Sequence, residues 1–361
     1  MPSRTELQPY DQEAAQKLFS SIENIYVATT RGPCPGVKDA IQILDEAVTT
    51  AKSLRPEIPV VCLHEEGVVH NTEVVEYFKE RGVQHIEDPK EVSPGSVVVI
   101  TAHGREWWVP QILEQNGCHV IDTTCPLVTG LQIKVREDVR KGRDIVLWGQ
   151  PTHPEARGVA SYVPDGRITI IESLEDAQTV DLSENSQLAF HTQTTAAGFE
   201  ADKAKKFLLQ SNPNMITTLR GDECNAVRDR QEAVYEFPED TNLAVIVGSP
   251  TSKNTKSMAL VADEDRGIPT TLRVDYAHEI DIPFLAQTLH APVNVALSSG
   301  ASVLDVQFLR VRDWFLEQSR MYGREPNVVN LPPVSEEREH FKKEDDFVEI
   351  QNKLKDWLLA H

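Results

Sequence analysis

The chain has 361 residues, of which 40% are apolar and 25% are charged, and its formal net charge is −20. This composition is ordinary for a globular protein, and the length suffices for two or three domains. The acidic balance disfavours nucleic acid as a partner, because such affinity comes from neutralising phosphates with lysine and arginine. No apolar run approaches the length of a membrane span, so we predict no membrane partner either.

Cysteine usage and the N-terminal residues indicate the cellular compartment. The five cysteines show no paired spacing, which argues against a disulfide framework. The first twenty residues are polar and carry several acids, unlike a secretory signal or a typical transit peptide. We therefore expect a reducing environment and a cytoplasmic location.

Short apolar segments alternate with helical patterns from residue 25 onward. We predict strands at 25–28, 59–63, 96–100, 119–121, 144–148, 168–171, 187–190, 242–247, 271–274 and 293–298. The clearest helical patterns cover 37–54, 72–81, 201–210 and 303–318. Short, fully apolar strands that alternate with helices are typical of parallel sheets, so the predicted fold class is α/β.

Three cysteines occupy equivalent positions, each where a helical pattern begins. They are Cys34, Cys125 and Cys224, spaced roughly one hundred residues apart. Backbone N–H groups and the helix dipole at such a point favour a thiolate. Each cysteine by itself could be a buried thiol, but three in this pattern could converge on one point. Cys62 and Cys118 lie inside apolar runs and are expected in the core.

Thiolates gathered at one point bind zinc or an iron–sulfur cluster. Zinc sites usually contain one close pair such as C-x-x-C, which this sequence lacks. Three isolated cysteines fit a [4Fe–4S] cluster in which one iron has no protein thiolate. That iron would be a Lewis acid able to take a substrate oxygen.

Polar residues follow six of the predicted strands, and ligands of open α/β sheets bind outside the carboxyl ends of strands. His70, His103 and His153 could contact a phosphate or ligate a metal. The loops 248–254 and 298–302 are rich in serine, glycine and asparagine, which suits anion binding at helix starts, although these residues could also merely cap helices. Together they favour a phosphate-bearing ligand.

Glu155 follows His153 by two residues in a proline-bounded loop, and it is a candidate proton donor, although alone it could be a surface acid. A cluster, a proton donor and a phosphate site together indicate reductive cleavage of a C–O bond in a small phosphorylated molecule.

The sequence resembles the LytB/IspH family of 4-hydroxy-3-methylbut-2-enyl diphosphate reductases over residues 25–318. The motifs that carry the resemblance are Arg31-Gly32-x-Cys34-x-Gly36-Val37, Val68-Val69-His70-Asn71, Ala102-His103-Gly104, Thr124-Cys125-Pro126-Leu127-Val128-Thr129, His153-Pro154-Glu155, Thr192-Gln193-Thr194-Thr195, Arg230-Gln231-Glu232-Ala233-Val234 and Gly300-Ala301-Ser302.

The resemblance implies a fold of three similar α/β domains in a trefoil around a central cavity. We place these domains at 24–125, 126–222 and 223–318. Residues 1–23 are expected to form a polar N-terminal extension with one helix. Residues 319–361 are expected to form a peripheral arm, with a charged segment from Glu336 to Asp346 and a final amphipathic docking helix.

The resemblance also implies roles for individual residues. The cluster ligands would be Cys34, Cys125 and Cys224, and the proton-delivery group would be Glu155, with His153 and Thr194 beside it. The substrate-binding set would be His70, His103, His153, Thr194, Ser252, Lys253, Asn254 and Ser302. The implied reaction converts 4-hydroxy-3-methylbut-2-enyl diphosphate, an allylic diphosphate, to isopentenyl and dimethylallyl diphosphate. Ferredoxin or flavodoxin would supply the electrons.

Several residues depart from the family pattern. Lys253 stands where the family commonly has a second serine, and Pro33 and Pro35 flank Cys34. Two alternatives therefore stay open: a paralogous cluster enzyme that reduces a different substrate, and a non-catalytic, cluster-based sensor of a phosphate ligand. An acidic electron donor would need a basic patch, and the densest one comprises Lys134, Arg136, Arg140, Lys141 and Arg143, unless these residues simply form a solvated helix face.

Overall fold

The computed structural model describes residues 11–182, 187–217, 222–335 and 341–361. The chain divides into two compact units. The first unit comprises Met1–Pro33 and Ala226–Glu336, and the second comprises Cys34–Asn225 and Glu337–His361.

The strands, in chain order, are β1 (Ile22–Val27), β2 (Val60–Cys62), β3 (Gln84–His85), β4 (Val97–Ile100), β5 (His119–Asp122), β6 (Asp144–Trp148), β7 (Ile168–Ile171), β8 (Leu188–Thr192), β9 (Ile216–Thr217), β10 (Leu243–Val247), β11 (Thr271–Val274), β12 (Val293–Ser299) and β13 (Asn327–Asn330). The α-helices are α1 (Gln12–Phe19), α2 (Pro35–Leu54), α3 (Thr72–Glu80), α4 (Val109–Gln115), α5 (Pro126–Arg140), α6 (Pro154–Ala160), α7 (Leu174–Thr179), α8 (Gly198–Ser211), α9 (Asn225–Tyr235), α10 (Lys253–Leu260), α11 (Ile282–Thr288), α12 (Asp305–Met321) and α13 (Glu344–Ala360).

The first unit is built on a five-stranded sheet in the order β11-β10-β12-β1-β13, in which all neighbours run parallel. Strand β1 pairs with β12 on one side and β13 on the other. The apolar core beneath this sheet includes Phe19 from α1 and Trp314 from α12, whose rings meet edge to face with centroids 5.4 Å apart. Apolar burial of this kind is the main favourable term in folding.

The second unit contains two four-stranded parallel sheets, in the orders β3-β2-β4-β5 and β7-β6-β8-β9. In β4 and β8 every residue is buried, as expected for parallel strands covered on both faces. The C-terminal helix α13 packs against α2 and buries Leu354 and Leu358, as its amphipathic pattern predicts. The α/β class is therefore confirmed, with three parallel sheets among the described residues.

All ten predicted strands are present within a few residues of their expected bounds, and so are the four predicted helices. Three further strands were not predicted. Strands β3 and β9 have two residues each, and β13 is exposed along its whole length at a sheet edge. Such short or polar edge strands carry no buried face, so the hydrophobic pattern cannot reveal them.

The strand pairing places the ends of the chain differently from the expected arrangement. Strand β1, expected with 24–125, belongs to the sheet of the first unit, and so does β13 from the expected peripheral arm. The predicted N-terminal helix is α1, but its Leu18 and Phe19 are core residues rather than part of a polar extension. Residues 1–10 and 336–340, including the start of the charged segment, lie outside the described residues. The domain boundaries themselves stay a prediction.

Candidate active site

Two of the three candidate cysteines are N-cap residues. Cys34 precedes α2 and Cys125 precedes α5, and each is followed by a proline in the first turn, where the missing N–H costs nothing. A Cβ on Gly36 would lie 3.0 Å from Cys125 Sγ, so glycine allows the first turn of α2 to approach this sulfur. Burial, with smaller contributions from the nearby Cys34 and Glu155, raises the pKa of the Cys125 thiol to about 12. The two thiols are thus neighbours in the second unit.

The third cysteine is tied to the same region through Thr194. The backbone N–H of Cys224 donates to the Thr194 carbonyl at 3.0 Å, one residue before α9 begins. Thr194 in turn contacts Glu155 through its backbone N–H (2.7 Å) and its hydroxyl (3.1 Å). These hydrogen bonds therefore link Cys224, one of the expected cluster ligands, with the expected proton donor Glu155. Arg220 and Gly221, which precede Cys224 in its motif, lie outside the described residues.

Glu155 is buried, not a surface acid, with 1% of its surface exposed. Burial raises the pKa of its carboxyl to about 7, although the hydrogen bonds from Thr194 act in the opposite direction. His153, the N-cap residue of α6, accepts a hydrogen bond on Nδ1 from the Glu155 backbone N–H at 3.2 Å. Since Nδ1 is an acceptor, the neutral ring carries its proton on Nε2 and can donate from there.

The three predicted histidines come together. Their ring centroids are separated by 4.1 Å (His70 and His103), 5.5 Å (His70 and His153) and 5.3 Å (His103 and His153). Burial lowers the pKa of His103 well below its usual value, and the neighbouring His70 and His153 lower it further. A neutral imidazole at this position can donate to an anion or ligate a metal.

A fourth histidine, His64, joins this group and was not predicted. Its ring centroid lies 5.5 Å from that of His70 and 5.9 Å from that of His103. The potential ligand atoms of these three histidines all lie within 4.8 Å of one another, so their imidazoles could hold a metal ion. His64 directly follows an apolar segment that comprises β2 and Leu63. Its position at the end of a strand is a sequence signal that could have identified it as a candidate.

Glu87 holds one of these histidines, His64, by a hydrogen bond. It accepts hydrogen bonds from His64 Nδ1 (2.6 Å), Arg105 Nη1 (2.8 Å) and Arg157 Nη2 (2.5 Å). Burial opposes ionisation of Glu87, but the bonds from His64 and Arg157 outweigh it and lower the pKa of the carboxyl. This carboxylate therefore joins the His64 loop to α6, which carries Glu155. No local motif marks Glu87, whose partners are distant in sequence.

The predicted anion loops occupy the first unit. Ser252 is the N-cap residue of α10, Lys253 is its first residue, and Asn254 Oδ1 accepts a hydrogen bond from the Ala301 backbone N–H at 2.6 Å. A Cβ on Gly300 would lie 2.3 Å from Thr255 Oγ1, so glycine is needed for this approach. The loops after β10 and β12, which include Ser302, are thereby brought together. Asn254 Nδ2 is buried without a hydrogen-bond partner among the described residues.

Arg230 has a structural role that the sequence did not reveal. Its side chain is fully buried, with an exposure of 0%. Nε and Nη2 donate to the Gly32 carbonyl at 3.1 and 2.6 Å, and Nη1 donates to the Ala226 carbonyl at 2.7 Å. Arg230 thus fixes the turn at Arg31 and Gly32, two residues before Cys34 in the sequence.

Three of the five side chains in the predicted basic patch make contacts within the second unit. Lys134 Nζ bonds Asp222 at 2.7 Å, Arg136 stacks on the Tyr162 ring at 5.0 Å, and Arg143 pairs with Asp138 at 2.5 Å. Arg140 and Lys141 are exposed. None of the described helices is both long enough and apolar enough to cross a membrane.

The fold and the site define an α/β enzyme with cysteines, histidines and a buried acid at the ends of its parallel strands. The chain belongs to the LytB family, whose model, described as LytB protein, matches residues 25–315. The predicted family is thereby confirmed.

Curated relatives carry the name of one enzyme. A protein from Stenotrophomonas maltophilia (strain K279a) named 4-hydroxy-3-methylbut-2-enyl diphosphate reductase is 33% identical over 80% of this chain and 90% of its own length. A protein of the same name from Xanthomonas axonopodis pv. citri (strain 306) is 34% identical over 83% of this chain and 91% of its own length. These relatives confirm the prediction that the chain is an enzyme of the reductase type.

A solved structure supports the fold. The E-1-hydroxy-2-methyl-but-2-enyl-4-diphosphate reductase from Plasmodium falciparum matches with a TM-score of 0.80 and 24% identity. The match covers 92% of this chain and 99% of that one. It confirms the predicted similarity in fold to this group of reductases.

Proposed function

We propose that this chain reduces 4-hydroxy-3-methylbut-2-enyl diphosphate to isopentenyl and dimethylallyl diphosphate in isoprenoid biosynthesis. The observation that carries the proposal is that the three cysteines surround one buried acid: Cys34 and Glu155 lie near enough to Cys125 to raise its pKa, and hydrogen bonds through Thr194 join Glu155 to Cys224. Relatives that share about a third of their residues with this chain are named for the same reaction.

We propose Cys34, Cys125 and Cys224 as the ligands of a [4Fe–4S] cluster with one iron open. The donor set fits such a group, because three thiols at helix starts offer soft ligands, and coordination by a metal deprotonates a thiol even where burial raises its pKa, as at Cys125. A Cβ at Gly36 would lie 3.0 Å from Cys125 Sγ, so glycine avoids crowding this ligand atom. When bound, the cluster would supply electrons and a Lewis-acidic iron for the substrate hydroxyl.

In this proposal the buried acid of Glu155 delivers a proton to the leaving hydroxyl. A carboxyl with a pKa near 7 is about half protonated at neutral pH, which suits a general acid. Thr194 orients the carboxyl with its backbone N–H and its hydroxyl. Two electrons and two protons remove the hydroxyl as water, so the reaction needs an external reductant.

The diphosphate would be bound by polar groups at the strand ends. In the second unit His70, His103 and His153 can donate to phosphate oxygens, with Thr194 beside Glu155. Ser252, Lys253, Asn254 and Ser302 of the first unit have the same proposed role, since serine, lysine and amide groups at a helix start favour anions.

The experiment is anaerobic purification with iron and sulfide analysis, followed by a dithionite-driven assay with the diphosphate substrate. We expect bound iron and turnover, with Glu155→Gln lowering turnover about a hundredfold or more while keeping the cluster and ligand binding. Iron and ligand binding without turnover in the unsubstituted protein would favour the sensor. Faster turnover of another allylic alcohol would favour the paralogue, and an iron-free protein would contradict both cluster functions.

We propose a ferredoxin or flavodoxin as the electron donor and the cytoplasm as the location. Arg140 and Lys141 remain exposed on the predicted patch and offer positive charge to an acidic donor. Reversing both charges to glutamate should slow reduction by the donor but not by dithionite. Equal slowing with both reductants would contradict this docking site.

A further inference from the structure

His191 lies between two carboxylates in the second unit. Its Nδ1 is 3.0 Å from Asp222 Oδ2 and its Nε2 is 2.9 Å from Asp138 Oδ2. The side chain is buried, with an exposure of 3% for the residue. Because carboxylate oxygens only accept, both ring nitrogens donate, and only the imidazolium form has two N–H donors. The geometry therefore places a buried cation between two anions.

Asp222 is held by more than this one bond. Its Oδ2 also accepts from the Thr192 backbone N–H at 3.2 Å, and its Oδ1 accepts from Lys134 Nζ at 2.7 Å. Its own backbone N–H donates to Thr192 Oγ1 at 2.8 Å. Together with the bond from Cys224 to Thr194, these contacts fasten residues 222–224 to the end of β8.

Asp138 brings a second element into this arrangement. It lies on α5, the helix that begins directly after Cys125, and it also pairs with Arg143. His191 therefore connects the segment that carries Cys224 to the helix that carries Cys125 at its start. These two cysteines are far apart in the chain, so a connection through the rigid helix α5 constrains their separation.

We propose that His191 is a positioning residue that keeps Cys224 aligned with Cys125 for the cluster. The inference rests on the proposed function in taking these cysteines as ligands. A neutral substitute leaves Asp138 and Asp222 buried without the cation between them, and losing one partner of a buried ion pair is strongly destabilising for the groups left behind. Backbone pairing of β8 with β6 is independent of the ring, so the sheet should persist.

The test compares the full-length protein with His191→Gln, using Arg167→Gln as a matched control. Arg167 forms an ion pair with Asp144 at 2.6 Å beside the same sheet but touches neither Asp138 nor Asp222 in this arrangement. We expect chelator-driven loss of iron to be about tenfold faster in His191→Gln, with an altered spectrum of the reduced cluster, and unchanged in Arg167→Gln. Equal rates and identical spectra for all three proteins would overturn the proposal.

A second measurement separates this proposal from the cluster assignment. After iron removal, alkylation of each cysteine is followed by mass spectrometry in the same molecules. Cys62 in β2 and Cys118, directly before β5, are both buried and report general opening. We expect Cys224 alone to react about tenfold faster in His191→Gln. Unchanged Cys224, or equal acceleration of all cysteines, would overturn the positioning role.

If the unsubstituted protein binds no iron, the proposed function fails, and the alkylation result still decides whether His191 holds the Cys224 segment. If iron is bound and Cys224 behaves identically in both proteins, only the His191 inference fails. Asp138→Asn provides a milder variant should His191→Gln not fold. It keeps the ring between two oxygens but removes one charge, so it should give an intermediate effect.

Discussion

The Thr194 backbone N–H donates to Glu155 Oε1 at 2.7 Å, while the Thr194 hydroxyl lies 3.1 Å from Oε2. Both carboxyl oxygens of a buried acid are therefore held by one residue. Burial raises the pKa of Glu155 to about 7 in spite of these bonds. The arrangement fixes the direction of the carboxyl and leaves it able to exchange a proton near neutral pH.

The raised pKa of Glu155 should make stability fall as pH rises. Below about pH 4.5 the carboxyl is protonated in both the folded and the unfolded chain and contributes no difference. Between that pH and about 7 this residue ionises only in the unfolded chain, so the free energy of unfolding falls as pH rises. Above about pH 7 the loss is complete and amounts to about 3 kcal/mol. Glu155→Gln should remove this slope.

The measurement is urea unfolding of the iron-free protein at pH 5 and pH 8. We expect Glu155→Gln to be more stable than the unsubstituted chain at pH 8, by an amount that shrinks toward pH 5. A constant difference between the two proteins across this range would contradict the raised pKa.

Thr194→Val should show what the Thr194 hydroxyl alone contributes to the pKa of Glu155 and to turnover. Valine has the shape of threonine and keeps the backbone bond, but it removes a hydrogen bond that lowers the pKa of Glu155. We expect the pKa of Glu155, read from the pH dependence of turnover, to rise, and turnover to fall about tenfold. Thr195→Val is the neighbouring control. An unshifted pH profile in Thr194→Val would show that the hydroxyl does not act on Glu155.

His153→Asn should weaken binding of the diphosphate without disrupting α6. Asparagine is a good N-cap residue and can replace Nδ1 as acceptor for the Glu155 N–H, but it lacks the Nε2 donor. We expect Kd for inorganic diphosphate, measured by calorimetry, to rise about tenfold, which corresponds to losing one charge-assisted bond. The same substitution at the exposed His290 should leave Kd unchanged. Unaltered binding in His153→Asn would remove this residue from the anion site.

Arg230→Met should destabilise the first unit. Methionine fills similar space but leaves the carbonyls of Gly32 and Ala226 without their donors, at a cost of about 3 kcal/mol in the free energy of unfolding. Arg228→Met on the same helix is the control, since that side chain is one-third exposed and pairs with Glu232 at 4.0 Å. Urea unfolding gives the comparison, and equal stability of the two variants would contradict the role of Arg230.

Asp39→Ala should release the C-terminal segment from α2. Asp39 Oδ2 accepts hydrogen bonds from the backbone N–H groups of Phe341 and Lys342 at 3.0 and 2.9 Å. Without them we expect cleavage near Lys342 in limited proteolysis to be about tenfold faster, while α13 stays packed. Asp45→Ala, which removes an ion pair with Arg81 from the same helix, should not change that cleavage. Similar acceleration in both variants would indicate general loosening instead.

Local pattern was sufficient for the elements and for the residues at their ends. The strands from β6 to β8 and from β10 to β12 are short apolar segments between helices, a signal that neighbouring residues carry by themselves. Cys34 and Cys125 could be placed at helix starts because the prolines after them fix the backbone for a first turn. The edge strand β13 was not predicted, because an exposed strand has no buried apolar face that a sequence pattern could show.

The amino-acid sequence by itself determined the α/β class, the helix-start cysteines and the histidines that follow strands, because periodicity, capping and strand ends are local properties. Only the tertiary structure decided that His191 bridges Asp138 and Asp222, 53 and 31 residues away, and that Arg230 reaches Gly32 across 198 residues. Parallel strands bring distant loops to one sheet edge, and no local pattern records which side chains meet there. The raised pKa of Glu155 could not be read from the sequence either, because it depends on burial by residues that fold around the carboxyl.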